Sequence, residues 1–150
     1  MYAKKEKSLK LANLLIELKR ELSPLSEDDI ISLFSGEKTK ISYSEIIEAE
    51  VTSLLDNLGM KASLMGYQYL KYAFIWIANQ KPKKIKPSIL YNVIANEFDS
   101  SYSVVERGLR YVIHSAYSIE NEAWNELFPA LSEPPENGFF ISRVKDYLSL

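Results

Sequence analysis

Apolar residues recur at intervals of three and four positions along almost the whole chain, whereas the strict alternation of a half-buried strand is absent. This spacing places the apolar side chains on one face of a helix, so the pattern predicts an all-α protein. Breaks in the pattern fall at prolines, glycines and polar clusters, which end helices. The predicted helices cover residues 11–22, 26–36, 42–58, 66–79, 87–98, 102–118, 121–128 and 139–148.

The helix predicted over 42–58 has clear signals at both ends. Ser42 and Glu45 have the spacing of a capping box, and Gly59 is a typical C-terminal stop. The residues expected on its buried face are Ile46, Ile47, Val51, Leu54, Leu55 and Leu58. The next helix, 66–79, is apolar around nearly its whole circumference, which is typical of a central helix. Its aromatic residues are therefore expected in the core, although such residues could also stack on single-stranded nucleic acid.

Residues 87–118 have the layout of a helix-turn-helix. Pro87 fits the first turn of the first helix, residues 99–101 form the turn, and Ser101 is a good N-cap for the second helix. The residues expected on the buried side of the first helix are Ile89, Leu90, Val93, Ile94 and Phe98. Ala95 is small, as a close crossing of the two helices requires. In this motif the N-terminal half of the second helix enters the major groove of DNA.

The second helix of this motif has two chemically different faces. Apolar residues at helical spacing define an inner face: Val105, Leu109, Val112 and Ala116. Polar residues define an outer face: Ser103, Arg107, Arg110 and His114. Because the planar fork of arginine can hydrogen-bond a guanine edge or a phosphate, the outer face has the chemistry for binding duplex DNA. The pattern alone fits an ordinary solvated helix face equally well.

Charge is distributed unevenly along the chain, although the net charge is only −2. Residues 51–118 hold 8 basic and 4 acidic side chains, whereas residues 119–150 hold 2 basic and 6 acidic ones. A basic middle segment is compatible with phosphate binding, because duplex DNA responds to the local field. A run of lysines just before the predicted motif could reach the DNA backbone or could be a solvated turn: Lys81, Lys83, Lys84 and Lys86.

Other classes of chemistry find little support in the sequence. There are no cysteines, which excludes disulfides and thiolate chemistry and fits a reducing interior. The one histidine, His114, has no partners at metal-ligand spacing, and phosphate loops, nucleophile elbows and paired carboxylates are absent. No segment has the length and apolarity of a membrane span or a signal peptide. We therefore expect a cytoplasmic protein that is not an enzyme and needs no metal or cofactor.

The sequence also resembles a known family over many short matches in the same order. They are Val51–Leu55, Leu58-Gly59, Gly66–Leu70, Leu90-Tyr91, Ile94-Ala95, Phe98, Val105–Arg107, Leu109-Arg110, Ile113, Leu127-Phe128 and Phe139–Ile141. Together they resemble the C-terminal effector domain of the stage-zero sporulation response regulator. The resemblance implies a domain of about six helices that binds a short box in duplex DNA, often as tandem copies contacted by neighbouring protomers.

The resemblance also suggests roles for individual residues. Glu106, Arg107 and Arg110 match positions of the family's recognition helix, whereas Val104 and Tyr111 replace its usual arginine and histidine. Glu106 could accept a hydrogen bond from cytosine or could simply favour the helix N-terminus. The residues expected to contact bases are Ser103, Val104, Glu106, Arg107 and Arg110. The residues expected to contact phosphates are Lys81, Lys83, Lys84, Lys86, Ser101, Tyr111 and His114.

The N-terminal segment departs from the family. Residues 1–41 are expected to form a helical extension, residues 42–150 the effector-like domain, and the motif within it spans 87–118. The extension is too short for the phosphorylatable receiver that family members carry, so we expect a regulator that acts without one. Its leucine stripe could contact a partner protein or a second copy, or could pack on the domain. The alternative function is a protein-interaction module that keeps the fold and has lost specific DNA binding, as the changes at Val104 and Tyr111 would permit.

Overall fold

The computed structural model describes Lys10, Leu11, Leu14 and residues 42–150. Six helices of known bounds lie in this part of the chain, which contains no strand. They are α1 (Tyr43–Asn57), α2 (Met65–Gln80), α3 (Pro87–Glu97), α4 (Tyr102–Ala116), α5 (Glu122–Leu127) and α6 (Asn137–Leu148). The prediction of an all-α protein is confirmed, with the helix ends within about two residues of those expected, a usual margin for helix boundaries.

The predictions for the N-terminal segment fall largely outside the described residues. This holds for the helix over 26–36 and for most of the helix over 11–22, of which Leu11 and Leu14 are described as helical and exposed. Contacts divide the chain into two units after Tyr43. The unit Ser44–Leu150, with Tyr43 as the first residue of α1, carries the remaining features.

The C-terminal end of α1 has the hydrogen bonds of a Schellman motif. Gly59 has φ of +79°, its backbone N–H donates to Asp56 O at 3.0 Å, and the N–H of Met60 donates to Leu55 O at 3.1 Å. Such a left-handed position favours glycine, because other residues are strained there. Leu55 and Met60 are both buried, as the apolar contact of this motif requires. The stop predicted at Gly59 is confirmed.

The core is built around α2 and an aromatic cluster. Leu70, Ala73, Phe74 and Ile77 are fully buried on α2, which confirms its central position. Trp124 of α5 stacks on Phe128 and makes a tilted ring contact with Phe140, and its indole N–H donates to Leu58 O at 2.9 Å. This bond satisfies a polar group that burial would otherwise leave unpaired. It also ties the end of α1 to α5.

Two apolar residues expected in the core lie at the surface. Ile46 of α1 is 48% exposed and Ile89 of α3 is 51% exposed. Each stands beside a buried neighbour, Ile47 and Leu90, so the buried stripes are narrower than the runs of apolar residues suggested. A surface helix presents only about a third of its circumference to the core, and residues at the edge of the stripe remain accessible.

Two helices approach each other closely where α2 crosses α4. A Cβ atom added to Gly66 would overlap the carbonyl oxygen of Gly108 and lie 2.8 Å from Cγ1 of Val112. On the other side, a Cβ atom on Gly108 would lie 3.0 Å from the ring of Tyr69. Side chains at these two positions would force the helices apart, so the glycines set the position of α4. Ala95, expected at the crossing of α3 and α4, is buried, and the crossing of α2 and α4 at the two glycines is a separate contact that was not predicted.

Candidate nucleic-acid interface

The turn between α3 and α4 is fixed by local hydrogen bonds. Asp99 adopts a left-handed conformation with φ of +49°, which aspartate tolerates better than most residues, and the N–H of Ser100 donates to Ala95 O at 2.8 Å. Ser101 caps α4, since its hydroxyl accepts from the N–H of Val104 at 3.3 Å. Tyr91 and Tyr102 add an edge-to-face contact between the two helices, with ring centroids 5.2 Å apart. The predicted turn and N-cap are confirmed.

The two faces predicted for α4 are also present. Val105, Leu109, Val112 and Ile113 are fully buried, and Ala116 is half-buried. The outer face is exposed at all four predicted positions: Ser103, Arg107, Arg110 and His114. Because the inner face holds the helix to the core, the outer side chains are free to meet a ligand without loss of packing.

Arg107 lies near the centre of the exposed face. Its Nε donates to the backbone oxygen of Ser103, one turn earlier, at 3.3 Å. Within the described part of the chain, Arg107 makes no ion pair. Val104, Tyr111 and Met65 line a groove beside it. The outer nitrogens of the guanidinium are therefore available for two parallel hydrogen bonds, the geometry with which arginine binds a guanine edge or a phosphate.

Arg110 has a different environment, because Glu106 pairs with it across one helical turn. Glu106 is held in place through its backbone oxygen, which accepts from Nδ2 of Asn137 at 3.0 Å. Asn137 starts α6, is only 8% exposed, and joins α6 to the N-terminal half of α4. Burial raises the pKa of the nearby Tyr91 phenol, which therefore stays neutral at physiological pH.

A cleft of about 660 Å³ lies along this edge of α4. Its lining includes Tyr102, Glu106, Arg110 and His114 from α4, and Glu136 from the loop before α6. The carboxylates of Glu106 and Glu136 therefore lie on the same side of α4 as Arg110 and His114. One edge of the exposed face is polar and charged, and the opposite edge, around Val104 and Tyr111, is largely apolar.

The lysines predicted to contact phosphates lie in the connection between α2 and α3. All four are exposed: Lys81, Lys83, Lys84 and Lys86. Lys81 ends α2 in a left-handed conformation, and Ile85 packs against the core and anchors the connection. No hydrogen bond or ion pair joins these lysines to α4 in the described residues. The structure thus places them directly before the motif as a separate basic patch.

Two residues of this region were missed by sequence reasoning. Asn137 lies outside the helix predicted over 139–148, although it is the first residue of α6. Met65 lies just before the helix predicted over 66–79. In the structure it is the first residue of α2 and is 52% exposed. Only the glycine pair that brings α2 against α4 explains why Met65 lies beside Arg107.

None of the described helices combines the length and apolarity needed to cross a membrane. No group of three or more histidine, aspartate or glutamate side chains in the described residues is placed to hold a metal ion.

A comparison with protein families gives one match that covers most of the domain. The family model described as "Sporulation initiation factor Spo0A C terminal" matches residues 51–148. The matched range includes α2 to α6 and the C-terminal half of α1, from Val51 onward, and it ends at the last residue of α6. The resemblance seen in the sequence is thereby confirmed.

Proposed function

Because the chain belongs to the sporulation initiation factor Spo0A C-terminal family, we propose that it is a transcription regulator that binds specific sequences in duplex DNA. This family is one of DNA-binding effector domains of sporulation regulators. In the proposed complex, α4 lies in the major groove, and α3 crosses the DNA backbone. The regulator acts on the nucleoid when bound.

This proposal rests on the exposure of Arg107 and on its lack of an ion pair within the described residues. An exposed arginine that makes no ion pair in the described residues stands at the centre of a capped helix whose opposite face is fully packed. A bidentate contact to guanine discriminates against the wrong base by about 1–3 kcal/mol. Ser103, one turn before Arg107, and Val104 lie in the first turn of α4, the part that penetrates deepest in such motifs.

Arg110 and Glu106 also belong to the proposed base-contacting set, and their ion pair does not prevent this. An exposed pair spaced by one helical turn contributes only about 0.3–0.5 kcal/mol, which is less than one bidentate base contact provides. Arg110 can therefore exchange Glu106 for a base. Alternatively, Glu106 can keep one side of the guanidinium while the other side contacts DNA.

Phosphate contacts are proposed for both ends of this surface. The lysine patch would anchor the backbone on one side, and Ser101, Tyr111 and His114 would do so around α4. These groups fix the register of the protein on DNA and make the affinity depend on salt.

We further propose that tandem protomers bind repeated boxes and that residues 1–41 bind a partner protein. The tandem arrangement is tested by measuring the stoichiometry of the full chain on duplexes with one and two copies of the box.

The proposal is tested by selecting bound sequences from a random duplex pool at two salt concentrations. The expected result is an enriched motif that survives the higher salt for the native protein and disappears for Arg107→Ala. Lys71→Ala is the matched control, because it also removes a cation. Lys71 pairs with Glu48 in a groove lined only by residues of α1 and α2. Absence of enrichment for the native protein would favour the interaction-module alternative.

A further inference from the structure

The apolar edge of α4 is formed by three exposed side chains that the charged residues of the interface do not explain. Tyr111 is 63% exposed, Met65 is 52% exposed, and Val104 is 41% exposed. They share a groove of about 320 Å³ with Arg107, and Gly66 and Gly108 form its floor. Exposed apolar residues that cluster beside an unpaired arginine suggest a ligand with both an apolar and a polar part.

This edge follows from the fold. Val104, Arg107 and Tyr111 are spaced by three and four residues, so they lie along one side of the helix. The close crossing at Gly66 and Gly108 brings the first residue of α2, Met65, to the same side. The charged groups that could compete for this space, Glu106 and Glu136, line the cleft on the opposite edge of α4.

In the major groove of DNA, the apolar group that a side chain can contact is the C5-methyl group of thymine. Valine has no hydrogen-bonding group in its side chain, so it can select a base only by contact with that methyl group or by exclusion. Val104 stands in the first turn of α4, one turn before Arg107. In the proposed complex the two side chains would therefore lie over neighbouring base pairs. Tyr111 lies almost two turns after Val104, where α4 would leave the major groove in the proposed complex.

We propose that Val104, with Met65 beside it, is a specificity-determining residue that selects thymine next to the base contacted by Arg107. This inference rests on the proposed DNA binding and adds the preferred base and the atom that is recognised. Duplex DNA is the occupant that the groove favours, because the groove is continuous with the exposed arginine. A second protein copy would have to bury the guanidinium of Arg107 against an acidic partner.

The test replaces thymine by uracil, one position at a time, in the duplex enriched from the random pool. Uracil keeps the same base pair and removes only the C5-methyl group. Binding is measured by competition at fixed salt. We expect one such position, beside the guanine whose recognition requires Arg107. Replacing the thymine there by uracil should lower the affinity of the protein for the duplex about fourfold, the value expected for one buried methyl group.

The Val104→Ala variant should bind the thymine and uracil duplexes with nearly equal affinity. Val104→Thr, which keeps the shape and one methyl group, should retain part of the difference. Ile46→Ala is the matched control, because Ile46 is also an exposed apolar residue but lies on α1, and its variant should show the full fourfold loss. Circular dichroism of each variant checks that the helices are intact.

Three results would overturn the inference. The first is an enriched motif without a thymine next to the guanine that depends on Arg107, or with one that is insensitive to uracil; DNA binding itself would then stand. The second is a uracil effect that persists unchanged in Val104→Ala. The third is a Val104→Ala variant that changes the oligomeric state of the free protein by light scattering and leaves uracil discrimination intact. If no motif is enriched at all, the proposed function fails before this inference is reached.

Discussion

Replacing Gly66 by alanine tests the packing that positions the recognition helix. The added Cβ atom would lie 2.8 Å from Cγ1 of Val112 and 2.9 Å from the carbonyl carbon of Gly108, and it would overlap the Gly108 oxygen. Carbon atoms in contact prefer separations of about 3.5–4.0 Å, so the shortfall is roughly 0.6–0.7 Å even for the two carbon contacts. Two of the three opposing atoms belong to the backbone, which can yield only if α2 and α4 move apart.

The expected free-energy change combines two opposing effects. Overpacking a core contact destabilises by about 1–3 kcal/mol, and we expect the upper end because the backbone is involved. Alanine in a helix is favoured over glycine by up to about 1 kcal/mol. The net result should be a loss of about 2 kcal/mol, equivalent to a fall in Tm of roughly 6–10 °C for a domain of this size.

Thermal unfolding followed by far-UV circular dichroism measures this effect. Gly138→Ala is the control, because its Cβ atom would lie 3.7 Å from Cγ of Pro87, an ordinary contact, and its Tm should be unchanged or slightly higher. Gly108→Ala should fall between the two, since the ring edge of Tyr69 can move. A Tm for Gly66→Ala equal to or above that of the native protein would refute the close crossing of α2 and α4.

Further predictions concern the helix cap, the lysine patch and one buried phenol. Ser101→Ala should lose about 1 kcal/mol of stability, because the N–H of Val104 loses its acceptor; an unchanged Tm would contradict the cap. Replacing Lys83 and Lys84 together by alanine should reduce the slope of log affinity against log salt by up to about 2, measured by fluorescence anisotropy. A slope that stays the same would remove the patch from the interface. Burial and the hydrogen bond to Asp56 raise the pKa of Tyr67 to about 12. The unfolded chain therefore loses this proton first, from a pH of about 10, and the stabilisation by Tyr67 should be present below pH 10 and decline as pH rises through 12. The difference in urea midpoint between the native protein and Tyr67→Phe should shrink over that range; a constant difference would count against the assignment.

The helices and the motif were predictable because their signals are local. Helical spacing, the stop at Gly59 and the cap at Ser101 each depend on a few consecutive residues, and all three are found in the structure. The two faces of α4 follow from the same periodicity, so the exposed stripe around Arg107 was also predictable.

The features that escaped prediction depend on contacts between distant residues. Gly66 and Gly108 are 42 positions apart, and only the crossing of α2 and α4 gives them a role. The hydrogen bond from Asn137 to Glu106 spans 31 positions. Ile46 and Ile89 show the same limit, because the width of a buried stripe is set by neighbouring helices and not by the helix itself.

In the proposed complex, Arg107 recognises a base and the lysine patch binds only the backbone. The direct measurement is the ratio of affinities for the enriched duplex and a scrambled duplex of equal length, at one salt concentration, for the native protein, Arg107→Ala and Lys83→Ala. We predict that Arg107→Ala lowers this ratio by about five- to 160-fold, as a bidentate contact of about 1–3 kcal/mol implies, whereas Lys83→Ala weakens both affinities equally and keeps the ratio. A ratio unchanged in Arg107→Ala would contradict the account.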